Sequence, residues 1–190
     1  MQQDRFLVER LKCGDAQALC CIYDRYGPAL LALGTKLLGD RAAAEGVLHD
    51  VFLAFAEHIQ RFELTGSLRS YLAKCVANRS RDRFRRRHKT VFLGDGIPTV
   101  ISPQPGPEEV AEQDDEVQQV GRALDALPYE QREVVLLRTH GGMKFRQIAA
   151  VQGVSVNTAQ GRYRYAMEKL RALLDVEADH AKCTGYRTVG

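Results

Sequence analysis

The chain has 190 residues, of which 45% are hydrophobic, so it has room for one domain or two small ones with buried cores. Its 27 Lys and Arg against 24 Asp and Glu give a net charge of only +3 at pH 7, a small total that hides a strong local segregation. No run approaches the roughly 20 apolar residues of a membrane span, and residues 1–11 have no apolar core of signal-peptide length, so we expect a soluble, cytoplasmic protein.

Apolar residues at spacings of three and four predict three helices in the first half of the chain. The first spans about 15–38 and is broken by Gly39-Asp40, the second spans about 41–58, and the third begins near Ser67. The side chains predicted to face inward are Leu19, Ile22, Tyr23, Tyr26, Leu30, Leu33 and Leu37 in the first helix, Val47, Leu48, Val51, Phe52 and Phe55 in the second, and Leu68, Tyr71, Leu72, Cys75, Val76 and Phe84 in the third.

Charge is segregated around the end of the third helix. Residues 78–89 hold seven basic side chains and one acid, whereas residues 90–116 hold seven acids and no Lys or Arg. The acidic stretch also contains four of the six prolines and shows little periodicity, which predicts an extended linker. A basic helix end beside an acidic tether is typical of a nucleic-acid-binding surface.

Two short helices are predicted to open the second half of the chain. Residues 117–127 form the first, and Pro128 suits the first position of the next, which runs to about Thr139. Gly141-Gly142 ends that helix.

Residues 144–165 read as a helix-turn-helix. A short apolar-faced helix is followed by a turn in which Gly153 can adopt the left-handed backbone, and Ser155 caps a second helix. The buried stripe of the second helix is predicted to be Ala159, Tyr163, Ala166, Leu170 and Leu173. The opposite face shows Asn157, Gln160, Gly161, Arg164 and Glu168. Amides and arginine on an outer face suit base edges and phosphates in a major groove.

The predicted fold is all-α, with two small helical domains joined by an acidic, Pro-rich linker and with no strand pattern or internal repeat. The first domain is assigned to residues 1–89, the linker to 90–116, the second domain to 117–174 and a loose tail to 175–190. Two basic surfaces separated by a tether predict a protein that reads two spaced DNA elements.

Three blocks of the sequence resemble bacterial RNA polymerase sigma factors of the extracytoplasmic-function group in the sigma-70 family. They are LLGDRAAAEGVLHDVFLAF, FxxxGSLxSYLAKCVANRSRDRFRRR and LPYEQREVVLLRTHGGMKFRQIAAVQGVSVNTAQGRYRYAMEKLR. The resemblance covers about residues 5–88 and 117–174 and implies sigma region 2 in the first domain and sigma region 4 in the second. It further implies a factor that binds core RNA polymerase through its β′ and β subunits, recognises promoter DNA and melts the minus-ten element. Members of this group are often held inactive by an anti-sigma factor, which we carry over as an expected partner.

The resemblance implies three sets of site residues. Polymerase docking falls to Glu45, Leu48, Asp50 and Val51. Minus-ten recognition falls to Phe62, Thr65, Gly66, Ser67, Arg69, Tyr71, Lys74, Asn78, Arg79, Arg81 and Arg85. Minus-thirty-five recognition falls to Ser155, Asn157, Thr158, Gln160, Gly161, Arg162, Arg164 and Tyr165. Melting requires a base to leave the stack and be held against an aromatic or apolar wall with polar groups at its edge, and the residues from Phe62 to Arg69 offer both.

The chain departs from the family pattern at three positions. Gly46 stands where an acid is common, Gly161 stands where Ser is common, and Tyr71 stands where many relatives have Trp. Gly46 weakens the implied β′ contact, and Gly161 means that promoter preference cannot be copied from relatives.

Two other functions compete with this interpretation. A helix-turn-helix transcriptional regulator that works without polymerase would explain the second domain but not the basic helix of the first. A metal-dependent nuclease would have to use His49, Asp50, His58, His140, His180 or Cys183, and their spacing matches no metal site. We therefore expect a protein that is not an enzyme, with no catalytic residue, no metal and no cofactor.

The five cysteines include no CxxC pair, and their number is odd. Cys20 and Cys75 fall at apolar helical positions, which predicts buried free thiols.

Overall fold

The structure, a computed structural model, describes the backbone of residues 2–92 and 115–184 and the side chains of residues 2–86 and 118–175. All regular structure in these ranges is helical, as predicted. The helices of the first domain are α1 (Gln2–Lys12), α2 (Ala16–Leu38), α3 (Arg41–Glu57), a short 3-10 turn (Ile59–Arg61) and α4 (Leu68–Phe92). Those of the second domain are α5 (Asp115–Asp125), α6 (Tyr129–Thr139), α7 (Phe145–Gln152) and α8 (Val156–Thr184). The predicted linker lies, for residues 93–114, outside the described residues.

Local capping sets the boundaries of α2 and α3, which agree with the predicted ones. Asp15 precedes α2 and accepts a hydrogen bond from the backbone N–H of Gln17 at 2.9 Å. Gly39 ends the helix in the left-handed conformation, with φ of +67°. The next residue, Asp40, caps α3 by accepting from the N–H of Ala43 at 3.0 Å. A side-chain acceptor at each start and a glycine at the end satisfy groups that a helix leaves unpaired.

The first domain packs around the predicted apolar stripes, most of which are buried. Ile22, Leu33 and Leu72 are fully buried, and the five inward residues predicted for α3 are all buried. Gly34 allows α2 and α3 to approach closely, because a Cβ built there would lie 3.1 Å from the Cβ of Ala44.

Placing a large side chain at this close approach should destabilise the first domain. We expect Gly34→Leu to lower the free energy of unfolding by about 1–3 kcal/mol, since overpacking forces neighbouring side chains and backbone to move. The matched control is Gly121→Leu in α5, where a built Cβ meets nothing within 4 Å and the better helix former should stabilise by up to about 1 kcal/mol. Urea denaturation followed by circular dichroism measures both. Equal losses at the two sites would contradict the packing argument.

Helix α1 lies before the first helix that the sequence analysis predicted. It is held by Leu7, Val8 and Leu11, which are buried, and by Asp4, which accepts from the Tyr26 hydroxyl at 2.6 Å and from Arg25 at 3.2 Å. The apolar pattern of α1 spans little more than one turn of the helix, which is too short for periodicity to reveal.

Four details of the prediction are wrong. Tyr71, predicted to face inward on α4, keeps 37% of its surface exposed. Cys20 is exposed, and Tyr23 keeps 46% of its surface exposed. Both lie beside the buried stripe of α2, and the Tyr23 ring packs edge-on against Phe52 with centroids 4.9 Å apart. The loose tail predicted from residue 175 is instead helical as far as Thr184, because α8 continues without a break.

Cys75 is partly buried, and burial raises the pKa of its thiol.

The second domain packs directly on the first, which the sequence did not predict. Helix α6 lies against α2 and α4, and α7 lies against α4. The buried apolar side chains of the two domains form one hydrophobic cluster. At the junction Gly141 comes so close to α4 that a Cβ built on it would be 3.2 Å from the Cβ of Ala73.

Candidate nucleic-acid interface

A cavity of about 230 Å³ opens where the chain enters α4. The six predicted minus-ten residues that line it are Phe62, Thr65, Gly66, Ser67, Tyr71 and Lys74. The loop that precedes α4 contributes the first four, and the first two turns of α4 contribute the others. The structure therefore brings about half of the predicted minus-ten set together around one space.

One wall of this cavity is aromatic. The Phe62 and Tyr71 rings lie 4.6 Å apart between centroids at an interplanar angle of 51°, and Phe55 supports Phe62 edge-on at 5.2 Å. Burial raises the pKa of the Tyr71 hydroxyl, with a smaller contribution from Cys75, so the ring stays neutral. Thr65, Ser67 and Lys74 add two hydroxyls and an ammonium group to the lining of the cavity. A flat aromatic face beside polar groups is suited to holding an unstacked base.

Six further residues line the cavity and were not among the predicted site residues. Three come from the same loop and helix, namely Glu63, Leu64 and Ser70. The other three, Met143, Gln147 and Ala150, come from the second domain. No sequence pattern predicts that these three second-domain residues line the cavity, because their position depends on how the two domains pack.

The predicted phosphate contacts divide into two groups. Arg79 and Arg85 are exposed, and Arg79 makes only a loose ion pair with Asp50 at 3.5 Å. Arg69 and Arg81 instead reach across to the second domain: the Nε of Arg69 donates to the carbonyl oxygen of His140 at 2.9 Å. Asn78 is half-buried on α4.

The pKa of His140 is shifted by its position between the two domains. Burial lowers the pKa of its imidazole, and the nearby cations of Lys36 and Arg69 lower it further. Both cations belong to the first domain, so the neutral form of His140 is favoured when the domains are together.

The helix-turn-helix forms from α7 and α8 as the sequence predicts. Gly153 ends α7 with φ of +67°, and the Ser155 hydroxyl accepts from the backbone N–H of Thr158 at 3.0 Å at the start of α8. Ala159 and Ala166 are fully buried. The ring of Tyr163 in α8 packs edge-on against Phe145 of α7, with centroids 5.3 Å apart.

The outer face of α8 presents most of the predicted minus-thirty-five residues to solvent. Those that are exposed are Ser155, Asn157, Thr158, Gln160, Arg164 and Tyr165, while Gly161 and Arg162 are half-buried. The Arg164 guanidinium lies over the Tyr165 ring at 5.0 Å and 3.9 Å from a carboxylate oxygen of Glu168. Arg162 donates to the side chain of Gln152 at 2.9 Å and so faces the domain junction.

The predicted polymerase-docking residues do not share one surface. Glu45 and Asp50 are exposed, whereas Leu48 and Val51 are only 2% and 3% exposed. The last two hold α3 against the core, so direct contact with a partner is not available to them. Leu53, which is 50% exposed, is an apolar side chain on the open face of the same helix that the family positions did not indicate.

Within the described ranges, no three His, Cys, Asp or Glu side chains gather closely enough to hold a metal ion. No helix in the part of the chain that the structure describes combines the length and apolar character needed to cross a membrane.

Two family models match the chain. Sigma-70 region 2 matches residues 22–90, and Sigma-70 region 4 matches residues 117–170. The two matches fall on the first and second helical domains, one on each.

Curated relatives match most of the chain. The ECF RNA polymerase sigma factor EcfG of Rhodopseudomonas palustris is 30% identical over 79% of this chain and 81% of its own length. The RNA polymerase sigma factor CnrH of Cupriavidus metallidurans is 29% identical over 93% of this chain and 96% of its own.

Two solved structures share the fold. The sigma factor RpoE in complex with the anti-sigma factor NepR from Bartonella quintana has a TM-score of 0.66 and 25% identity, covering 81% of this chain and 94% of that one. CnrH in complex with the cytosolic domain of CnrY has a TM-score of 0.64 and 27% identity, covering 91% and 97%.

Proposed function

The chain belongs to the sigma-70 family of bacterial RNA polymerase sigma factors, in its extracytoplasmic-function group, and we propose that it opens promoters by capturing a minus-ten base in the cavity at the start of α4. As a sigma factor it directs RNA polymerase in transcription initiation and is not itself an enzyme. The observation that carries the proposal is the convergence of loop and helix residues on one cavity with an aromatic wall.

Base capture accounts for the chemistry of that cavity. Pulling a base from the stack costs about a few kcal/mol, and an aromatic platform returns about 1–3 kcal/mol per stacked base. The rings of Phe62 and Tyr71 supply the platform, and the Lys74 ammonium supplies a cation for the adjacent backbone. Arg79 and Arg85 continue the basic surface along α4 and hold phosphates, so the affinity they confer falls as salt rises.

The second domain reads the minus-thirty-five element in this proposal. Helix α8 enters the major groove with its exposed face, and Arg164 is the side chain able to make two parallel hydrogen bonds to guanine. Gln160 and Asn157 lie on the same face and offer amides to base edges. Gly161 gives no side chain there, so the backbone can approach the DNA.

Polymerase docking falls to the exposed face of α3. Glu45, Asp50 and the exposed Leu53 form a mixed acidic and apolar surface that suits another helix. One of the two similar solved structures is a sigma factor in complex with the anti-sigma factor NepR. By that likeness we propose that a partner of the anti-sigma type regulates this chain.

Run-off transcription with core RNA polymerase on a promoter library tests the proposal. We expect initiation only when both protein and polymerase are present. Asn78→Ala should reduce initiation on duplex promoters by about tenfold, or about 1.4 kcal/mol, since this residue lies on α4 at the edge where strands would separate.

A promoter melted in advance around the minus-ten element is the matched control for Asn78→Ala. Initiation on this template should be nearly restored, because separation is no longer required. Tight sequence-specific binding by the protein alone, with no initiation under any condition, would instead support a regulator that works without polymerase.

A further inference from the structure

Arg81, predicted as a phosphate contact, is already bonded to the second domain in the folded chain. Its Nη2 donates to a carboxylate oxygen of Glu133 at 2.7 Å, and its Nη1 donates to the carbonyl oxygen of Val151 at 2.7 Å. The Glu133 side chain is 1% exposed and that of Arg81 is 17% exposed. Because both terminal nitrogens are bonded to acceptors of the second domain, the guanidinium has to release them before it can make a paired contact with a DNA phosphate through those nitrogens.

The same carboxylate leads on to the other DNA-binding surface. The second oxygen of Glu133 accepts from the Gln152 amide at 2.9 Å, and the amide oxygen of Gln152 accepts from Arg162 at 2.9 Å. One buried acid therefore connects an arginine of the minus-ten set with an arginine of the minus-thirty-five set.

Further contacts cover the first domain's promoter face around this network. Arg69 is held by the His140 carbonyl, and the cavity for the captured base is partly lined by Met143, Gln147 and Ala150 of the second domain. Phe84 of α4 stacks on Tyr129 with centroids 4.5 Å apart.

We propose that the second domain, folded onto the first, is an autoinhibitory partner that competes with promoter DNA, and that the Glu133 carboxylate stands in for a phosphate on Arg81. Carboxylate and phosphate both accept paired hydrogen bonds from a guanidinium, which makes the exchange chemically simple. The proposal rests on the proposed function, because it assigns Arg81 to DNA in the open form. Separating the domains uncovers the cavity and frees Arg69 and Arg81, which both bond to the second domain in the closed form.

The junction between the two domains contains polar contacts that would be exchanged for water on opening. It holds the Arg81–Glu133 ion pair and hydrogen bonds from arginines to backbone carbonyls, such as Arg132 donating to the Lys36 carbonyl oxygen at 3.3 Å. The Tyr129 hydroxyl and the Arg132 Nε are buried there without a protein partner among the described residues, and opening returns them to water. Apolar side chains also pack across the junction, but its hydrogen bonds can be exchanged for bonds to water when the domains separate.

The test variant is Glu133→Gln, which keeps the shape of the side chain and removes the charge that holds Arg81. Glu130→Gln is the matched control, since it removes the same charge one turn earlier on α6 from an exposed side chain. Small-angle X-ray scattering of the full chain reports the domain arrangement without labels. We expect a larger radius of gyration for Glu133→Gln than for wild type, and none of this expansion for Glu130→Gln.

Fluorescence anisotropy with a labelled duplex, in the absence of polymerase, measures whether opening exposes the DNA surface. Affinity for Glu133→Gln should rise by about tenfold over the Glu130→Gln control, because a protein that is open about a tenth of the time binds about tenfold more weakly than one that is always open. Expansion without a gain in affinity would overturn the masking role of the second domain. An unchanged radius of gyration would overturn the role of Glu133 in closure.

A second variant at another junction contact tests the proposal independently, in case Glu133→Gln does not fold. Arg132→Lys keeps the charge beside Asp125 but shortens the reach to the Lys36 carbonyl, and it should shift scattering and affinity in the same direction as Glu133→Gln. Compact scattering with wild-type affinity for this variant as well would overturn the proposal. If wild type and Glu133→Gln differ as expected but neither supports polymerase-dependent initiation, the closed state stands and the proposed function fails.

Discussion

Truncation of Tyr71 to alanine is expected to weaken capture of single-stranded minus-ten DNA by roughly 5- to 150-fold. The ring forms the aromatic wall with Phe62 and keeps 37% of its surface exposed at the cavity. Base stacking on an aromatic side chain contributes about 1–3 kcal/mol, which is the origin of the expected range. The measurement is the affinity of the polymerase complex for a labelled single-stranded minus-ten oligonucleotide.

Tyr71→Phe is the matched variant, because it keeps the ring and removes only the hydroxyl. We expect it to bind within about twofold of wild type if stacking on the ring carries the affinity. A loss in Tyr71→Phe as large as in Tyr71→Ala would assign the effect to the hydroxyl and contradict the stacking role. Polymerase binding and thermal unfolding of both variants separate this loss from damage to the packing of Phe55 and Phe62.

Local signals were sufficient to predict most of the helices. Gly39 and Gly153 both adopt the left-handed conformation that ends a helix, and Asp15, Asp40 and Ser155 each cap the following helix with a side-chain oxygen. These devices act within four residues of the chain, so the sequence alone contains them. Helix α1 was not predicted, because its buried apolar residues span too few turns to show a repeat.

The family resemblance and the periodicity of α3 gave conflicting predictions for two residues. Apolar spacing placed Leu48 and Val51 inside the bundle, whereas the family positions placed them on the polymerase surface. The structure follows the spacing, since both are almost fully buried. A family position identifies the segment that meets a partner, but the helical period decides which of its side chains point outward.

The domain junction was beyond prediction from sequence. Arg81 and Glu133 are 52 residues apart in the chain, and each looks like an ordinary charged helix residue when read locally. The segregated charges indicated that the end of α4 is basic, which predicted DNA binding, and that the following segment is an acidic linker. In the structure, the acid that pairs with Arg81 is the buried Glu133 of α6. The proposal of a closed form that masks the DNA surface follows from this pair.

Removal of the guanidinium in Arg164→Ala is expected to abolish preference for guanine at one upstream position, a loss of roughly 5- to 150-fold or about 1–3 kcal/mol. The side chain is exposed on α8, and its present ion pair with Glu168 is long at 3.9 Å, so little stability is given up when it turns to DNA. Sequencing the transcripts initiated from a library randomised around the minus-thirty-five element measures the preference directly.

Two variants separate base reading by Arg164 from the general attraction of a positive charge. Arg164→Lys keeps the charge but not the planar fork, so it should lose most of the guanine preference and keep the salt dependence of binding. Arg171→Ala removes an exposed charge two turns further along α8 and should weaken binding on all sequences alike. If Arg171→Ala altered the preferred base as strongly as Arg164→Ala, the recognition face of α8 would not be centred on Arg164. If Arg164→Lys preserved the preference, its basis would be charge at that position, because a single ammonium cannot reproduce two parallel hydrogen bonds to one base.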